Sequence, residues 1–221
     1  MIESPVNLWD TAEHALAYLN RADTIPHRTE GEATLLEFLP RPLRRVLDLG
    51  SGDGRLLTLV KLARPEAEAV ALDFSSLMLD RLGARFAEDA TVAVVDHNLD
   101  VPLPGSLGTF DAVVSSFAIH HLTHERKCQL FGEVFVALRP GGVFANLEHV
   151  DSPTAALHDE FLATLGVGPG QEDPSNKLLD VQQQLEWLRS IGFIDVDCHW
   201  KWRELALLVG RRTKPQGAHG R

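Results

Sequence analysis

The sequence predicts a doubly wound α/β fold, and three observations carry that reading. Short runs rich in Val, Leu and Ala (RRVLDLG, EAVALDF, TVAVVD, FDAVVSSF and GGVFANLEH) lack the polar alternation of a half-exposed strand, as strands covered on both faces do. Amphipathic segments fall between them: RLLTLVKLA, SSLMLDRLGARFA and THERKCQLFGEVFVALR, the last closed by Pro140 and Gly141. Strand alternating with helix makes a parallel sheet with helices on both sides. Third, Gly50, Gly52 and Gly54 stand directly behind the first run, where such a sheet brings backbone close to a ligand.

At 221 residues the chain suits one domain with appendages and can bury a sizeable core. Hydrophobic residues make up 44% and charged residues 24%, ordinary values for a globular protein. Asp and Glu outnumber Lys and Arg by 31 to 21, a formal net charge of -10. Basic residues cluster only at Arg41, Arg44 and Arg45 and at Arg211, Arg212 and Lys214, so nucleic acid is a disfavoured partner. Cys128 and Cys198 are too few for a disulfide framework and read as thiols in a reducing compartment. MIESPVNLWD lacks a targeting pattern, and the apolar runs fall short of the roughly 20 residues a membrane span needs. A cytoplasmic protein, monomer or homodimer, with no membrane association is expected.

The elements follow in order. Residues 1–40 read as a helical lid, TAEHALAYLNRA and then, beyond Pro26, EGEATLLEFL up to Pro40. Residues 41–213 form the main domain. Within it, 151–176 is a cap insertion holding PTAALHDEFLATL and the turn-rich GVGPGQEDPSN. Asp180 caps VQQQLEWLRSI, with Gln183 at the capping-box position and Gly192 as the stop. FIDVDCHW and ELALLVG, joined by KWR, read as an antiparallel pair, against which Trp187, Trp200 and Trp202 pack. Residues 214–221 are expected to be a frayed, disordered tail.

The chemistry is concentrated in VLDLGSGDGRL, Val46 to Leu56. The dinucleotide fingerprint is GxGxxG, but the spacing here is GxGxG, with acids at Asp48 and Asp53. Two carboxylates would repel a pyrophosphate and attract a cation. S-adenosylmethionine fits, with its sulfonium, ammonium, ribose and adenine. On these residues the chain resembles the class I S-adenosylmethionine-dependent methyltransferases, of the kind that act on small molecules, from about Leu43 to Gly210. The resemblance implies a Rossmann-like, three-layer sheet of seven strands, parallel with one reversed edge strand supplied by the terminal pair. It implies cofactor contacts from Asp48, Gly50, Ser51, Gly52, Asp53 and Gly54. In VALDFS, Asp73 would hold the ribose hydroxyls, with Phe74, Ser75 and Met78 beside the adenine. Asp96 would accept from the adenine amino group, with His97 and Asn98 adjacent. In FDAVVSSFAIHHL, Ser115, Ser116 and Phe117 would lie along the methionine portion, and Arg28 would reach its carboxylate. LRPGGVF, Leu138 to Phe144, matches the family's turn before the fifth strand. S-adenosylhomocysteine would be the product.

For the acceptor side, His120 and His121 follow the fourth strand and His149 ends the fifth. An imidazole accepts a proton near neutrality, so these three are the candidate bases. Trp9, Tyr18, His120, Glu148 and His149 are the candidate contacts to a small-molecule acceptor. No metal is expected, since methyl transfer requires none and no HExxH or CxxC spacing occurs. Alternatives are a tRNA-modifying enzyme using S-adenosylmethionine or a carboxylated form of it, an S-adenosylmethionine-binding protein without chemistry, and a nicotinamide dehydrogenase.

Overall fold

A computed structural model describes residue 15, residues 25–168 and residues 170–214. The first lid helix (apart from Ala15), Trp9, Tyr18 and the tail beyond Lys214 therefore lie outside the described residues. The described chain begins with α1 (Arg28–Phe38) and continues β1 (Arg45–Leu49), α2 (Arg55–Ala63), β2 (Glu68–Asp73), α3 (Ser76–Arg85), β3 (Val92–Asp96), β4 (Phe110–Ser116), α4 (His124–Ala137) and β5 (Leu138–His149). It ends with α5 (Ala155–Thr164), α6 (Val181–Ile191), β6 (Phe193–Trp202) and β7 (Leu205–Arg212).

The seven strands form one sheet in the order β3-β2-β1-β4-β5-β7-β6. Pairs from β3 to β5 are parallel, while β7 runs antiparallel to both β5 and β6. The reversed strand thus lies at the β5 side of the sheet, with β6 outside it. Because β7 follows β6 through the tight turn Arg203–Glu204, the hairpin lays its second strand against β5. The strand expected to stop at Trp200 runs on to Trp202, so part of KWR is strand.

Successive strand residues point to opposite faces, and both faces are sealed on the inner strands, whereas edge strand β3 is largely exposed, against the expectation for TVAVVD. Val46, Ala71, Ala112, Ala145 and Leu207 face one side with Leu35 of α1 and Leu57 of α2. Leu47, Leu72, Val113, Phe144 and Leu208 face the other with Phe131 of α4 and Leu188 of α6. Burying each Leu or Phe side chain contributes about 1.5–3 kcal/mol, which is why these runs carry no polar alternation. On α1, Gly31 lets the helix lie close on the sheet: a Cβ there would stand 2.8 Å from Leu147 Cδ1 and 2.9 Å from Trp200 Cζ3. In LRPGGVF the β4–β5 register jumps from Phe110↔Leu138 to Ala112↔Val143, so Arg139 to Gly142 bulge as the turn the motif implies. Asp180 accepts from Gln183 N at 3.0 Å, and Gly192 ends α6 at φ +116°, as the capping residues imply.

Between β3 and β4 there is a 3-10 turn, Gly105–Leu107, in place of an α-helix. Side chains of α4 hold this crossover instead. Arg126 donates to the carbonyls of Leu99 (2.7 Å) and Val101 (2.9 Å), and Glu133 accepts from Leu103 N (3.0 Å). That anchoring places His97, Asn98 and Leu99 beside the ends of β1 and β2.

Candidate active site

Strand order reverses between β1 and β4, and a cleft opens there at the carboxyl ends of the strands, where a parallel sheet takes its ligands. It holds about 880 Å³ including its mouth. The glycine turn forms its floor. Gly50 leaves β1 at φ +64°, and a Cβ there would stand 2.3 Å from the Cβ of Ala118. Gly52, at φ +56°, faces open space, so a ligand can approach its backbone.

Asp48 is buried, 1% exposed, and neither carboxylate oxygen has a hydrogen-bond partner. Burial pushes its carboxyl up to about 7, and the Asp73 carboxylate adds to the effect. A buried unpaired carboxylate is costly, and this one lines the cleft. Asp73 is held from three sides: Oδ1 accepts from Phe74 N (2.9 Å) and Ser75 N (3.0 Å), and Oδ2 from Gly52 N (2.8 Å). Burial raises its carboxyl above the usual range despite these three donors. Phe74, Met78 and Leu99 supply apolar wall; His97, Asn98, Ser116 and Phe117 complete it. The buried Ser116 Oγ and His97 Nε2 have no partner. Arg28 also lines the cleft, 5.2 Å over the Phe117 ring. Fully buried Glu32 orients it (2.8 Å) and accepts from Arg55 as well (2.8 and 2.9 Å).

Three expected contacts lie outside the cleft lining, and a fourth is already paired. Asp53 reaches the cleft wall, but Arg85 holds its carboxylate at 2.5 Å, so its charge is already answered. Asp96 ends β3 exposed and outside the lining, because the edge strand leaves its last side chain in solvent. Ser115 points into the protein and donates to Leu49 O at 2.8 Å. Ser75 lies outside the lining and contributes its N–H to Asp73 instead.

A second chamber adjoins the cleft, and Phe117 and His121 line both. Phe161, Leu162 and Leu165, from α5 and the residue after it, make its apolar side with Leu205; His120, His121, His149, Glu172 and Asn176 make its polar side. Residues of the 151–176 segment therefore line this chamber. The three histidines meet here, with ring centroids 4.0 Å apart for His120 and His121 and 5.6 Å for His120 and His149. Each has its own partner. Glu148 Oε1 hydrogen-bonds His120 Nδ1 at 2.6 Å and accepts from His149 N at 2.9 Å. Ser175 Oγ sits 2.9 Å from His121 Nδ1 and donates to Asp173 Oδ1 at 2.7 Å. His149 Nε2 lies 2.9 Å from Glu204 Oε2.

Lysines fix the turn that carries the first two rings. Lys127 Nζ donates to His120 O (3.2 Å) and to Lys177 O, and Lys177 Nζ donates to His121 O (2.9 Å). Burial lowers the Lys127 ammonium to about 8 and raises Glu148 to about 7. His120 and His121 fall well below the ordinary imidazole value, first by burial and then through neighbouring charge, His149 for His120 and His120 for His121. Glu204 behaves oppositely. Burial would raise it, but hydrogen bonds from His149, Ser152 and His158 hold it below the usual range.

Sequence reasoning missed Glu32, Arg55, Ser175 and Glu204. Glu204 left one trace, a lone acid opening the apolar run ELALLVG.

A family model for a methyltransferase domain matches residues 46–142. Over those residues the chain matches a methyltransferase domain, on the sheet of the class I S-adenosylmethionine-dependent methyltransferases. A demethylmenaquinone methyltransferase of Thermus thermophilus is 34% identical over 120 residues, 54% of this chain and 53% of that protein. A ubiquinone/menaquinone biosynthesis C-methyltransferase of Dinoroseobacter shibae is 31% identical over 137 residues, 61% of this chain and 54% of that protein. In both, the matched part is about half the relative's length. The crystal structure of human N-acetylserotonin methyltransferase with S-adenosylmethionine superposes with a TM-score of 0.69 at 16% identity, over 96% of this chain and 60% of that one. The methyltransferase domain and its sheet order agree with the fold read from the sequence. No described helix is long and apolar enough to cross a membrane.

Proposed function

We propose that the protein transfers a methyl group from S-adenosylmethionine to an oxygen or nitrogen of a small-molecule acceptor by in-line displacement. The observation that carries this is the junction of cleft and chamber at Phe117 and His121, which gives donor and acceptor separate seats that touch at one point. The cleft residues suit the cofactor. Asp48 offers a buried carboxylate to the ammonium, Asp73 retains acceptor capacity for ribose hydroxyls, Phe74, Met78 and Leu99 take the adenine, and Arg28 the carboxylate. His97, Asn98, Ser116 and the Gly50–Gly54 backbone complete the contacts.

When bound, S-adenosylmethionine supplies an electrophilic methyl on a sulfonium. The protein's part is alignment and exclusion of water: Phe117 and the apolar roof of α5 keep the junction dry, and the histidines meet the acceptor's polar end. Of these, His149 is the best-supported base. Its partner Glu204 stays ionised and stabilises an imidazolium, whereas Glu148 is raised to about 7 behind His120. The acid-facing pocket and the net charge of -10 favour a small acceptor over nucleic acid.

Calorimetry and a product assay test the reading. S-adenosylmethionine is expected to bind, and S-adenosylhomocysteine to form, with hydroxyl or amine compounds in a panel that also holds carbon acceptors, since one relative is named a C-methyltransferase. No binding, or turnover with carbon acceptors alone, overturns it.

The charge on Asp48 adds a pH dependence. Its carboxyl titrates at about 7 and pairs with an ammonium only when ionised, so affinity should rise with pH. About fivefold is expected between pH 6 and pH 7.5, followed by a fall above pH 8 as an α-amino group loses its proton near 8. Asp48→Asn should bind more weakly and flatten that rise; an unchanged slope in the variant contradicts the assignment.

A further inference from the structure

Glu204 sits in the β6–β7 turn, fully buried, and three donors from other parts of the chain converge on it. Its Oε1 accepts from Ser152 Oγ and lies 2.9 Å from His158 Nδ1 on α5, which leaves Oε2 to His149 Nε2 at 2.9 Å. An ionised carboxylate only accepts, so the proton on the His149 ring belongs on Nε2. The neutral ring then carries its lone pair on Nδ1, which hydrogen-bonds to no described residue, while the ring lines the chamber.

We propose that Glu204 is the positioning residue of the transfer site, setting His149 as the Nε2–H tautomer so that Nδ1 is the atom available to an acceptor's proton. Ser152 and His158 hold Glu204 in that task. The step balances: the acceptor's O–H or N–H proton passes to Nδ1, its electron pair forms the bond to the methyl carbon, and the C–S pair stays on sulfur. Loss of the carboxylate leaves the ring in place but removes the preference between its two nitrogens. This inference rests on reading the chamber as the acceptor site.

Two-bond proton–nitrogen correlation spectra of the full chain labelled with nitrogen-15 histidine test it, with His149 assigned by the signals lost in His149→Asn. The native protein is expected to show His149 protonated at Nε2 and bare at Nδ1, and Glu204→Gln to show a mixture of tautomers. S-adenosylhomocysteine affinity in Glu204→Gln should stay within about twofold, since Glu204 does not line the cofactor cleft. An Nδ1–H ring in the native protein, or an unchanged tautomer in the variant, overturns the proposal. If the variant does not fold, the native spectrum decides alone. Failure of the native protein to bind S-adenosylhomocysteine would instead overturn the proposed function, with the tautomer still readable.

Discussion

Asp73→Asn is expected to weaken S-adenosylmethionine binding by about 100-fold in calorimetry, close to 2.7 kcal/mol, the scale of losing hydrogen bonds to a charged acceptor. The substitution keeps the shape of the side chain but places an amide NH2 among donors: Gly52 N, Phe74 N and Ser75 N all point at the native carboxylate. One arm of the amide must face another donor. The variant therefore loses both the charge meant for the ribose hydroxyls and the tie that holds the glycine turn against β2. Asp73→Ala should be worse, since it also strands three backbone N–H groups at about 1–3 kcal/mol each. Native affinity in Asp73→Asn would remove the cleft from the proposed cofactor site.

Gly50→Ala should lower the melting temperature by about 10 °C, from about 2–4 kcal/mol of destabilisation in a chain of this size. Two causes combine. The residue sits at φ +64°, and its new Cβ would stand 2.3 Å from the Cβ of Ala118, on the segment after β4. Neither atom is the end of a flexible side chain, so backbone must shift, and the shift opens the cleft where the turn and Phe117 face each other. Gly52→Ala is the control: a Cβ there meets nothing within 4 Å, so beyond its φ cost it should act on binding more than on packing. Equal melting temperatures for Gly50→Ala and the native chain would contradict the described turn.

Much of the fold was legible because it follows from local rules. A strand sealed on both faces must be apolar throughout, so the runs from Val46, Ala69 and Ala112 announced themselves without reference to one another. Glycine spacing and an acid at a strand end are likewise written in consecutive residues, and Asp48, Asp73 and the glycine turn do lie on one cleft. The same local logic does not show that Asp53 is paired or that Asp96 lies outside the cleft lining. Their positions in the motifs are as expected, but Arg85, 32 residues away from Asp53, occupies one carboxylate, and the exposed edge strand carries the other away from the lining. Ser115 and Ser116 are neighbours in sequence, and strand alternation sends only Ser116 to the cleft.

The amino-acid sequence by itself determined the alternating architecture, the glycine turn, and the acids that prepare the cleft for a cationic nucleoside. Only the tertiary structure decided which histidine has an ionised partner, because Glu204 reaches His149 across 55 residues, as Glu32 reaches Arg55 across 23. Periodicity and propensity act over a few residues, whereas burial and a carboxylate's choice of donor depend on which distant segments the sheet brings together. The chemistry of the acceptor site belongs to that second kind.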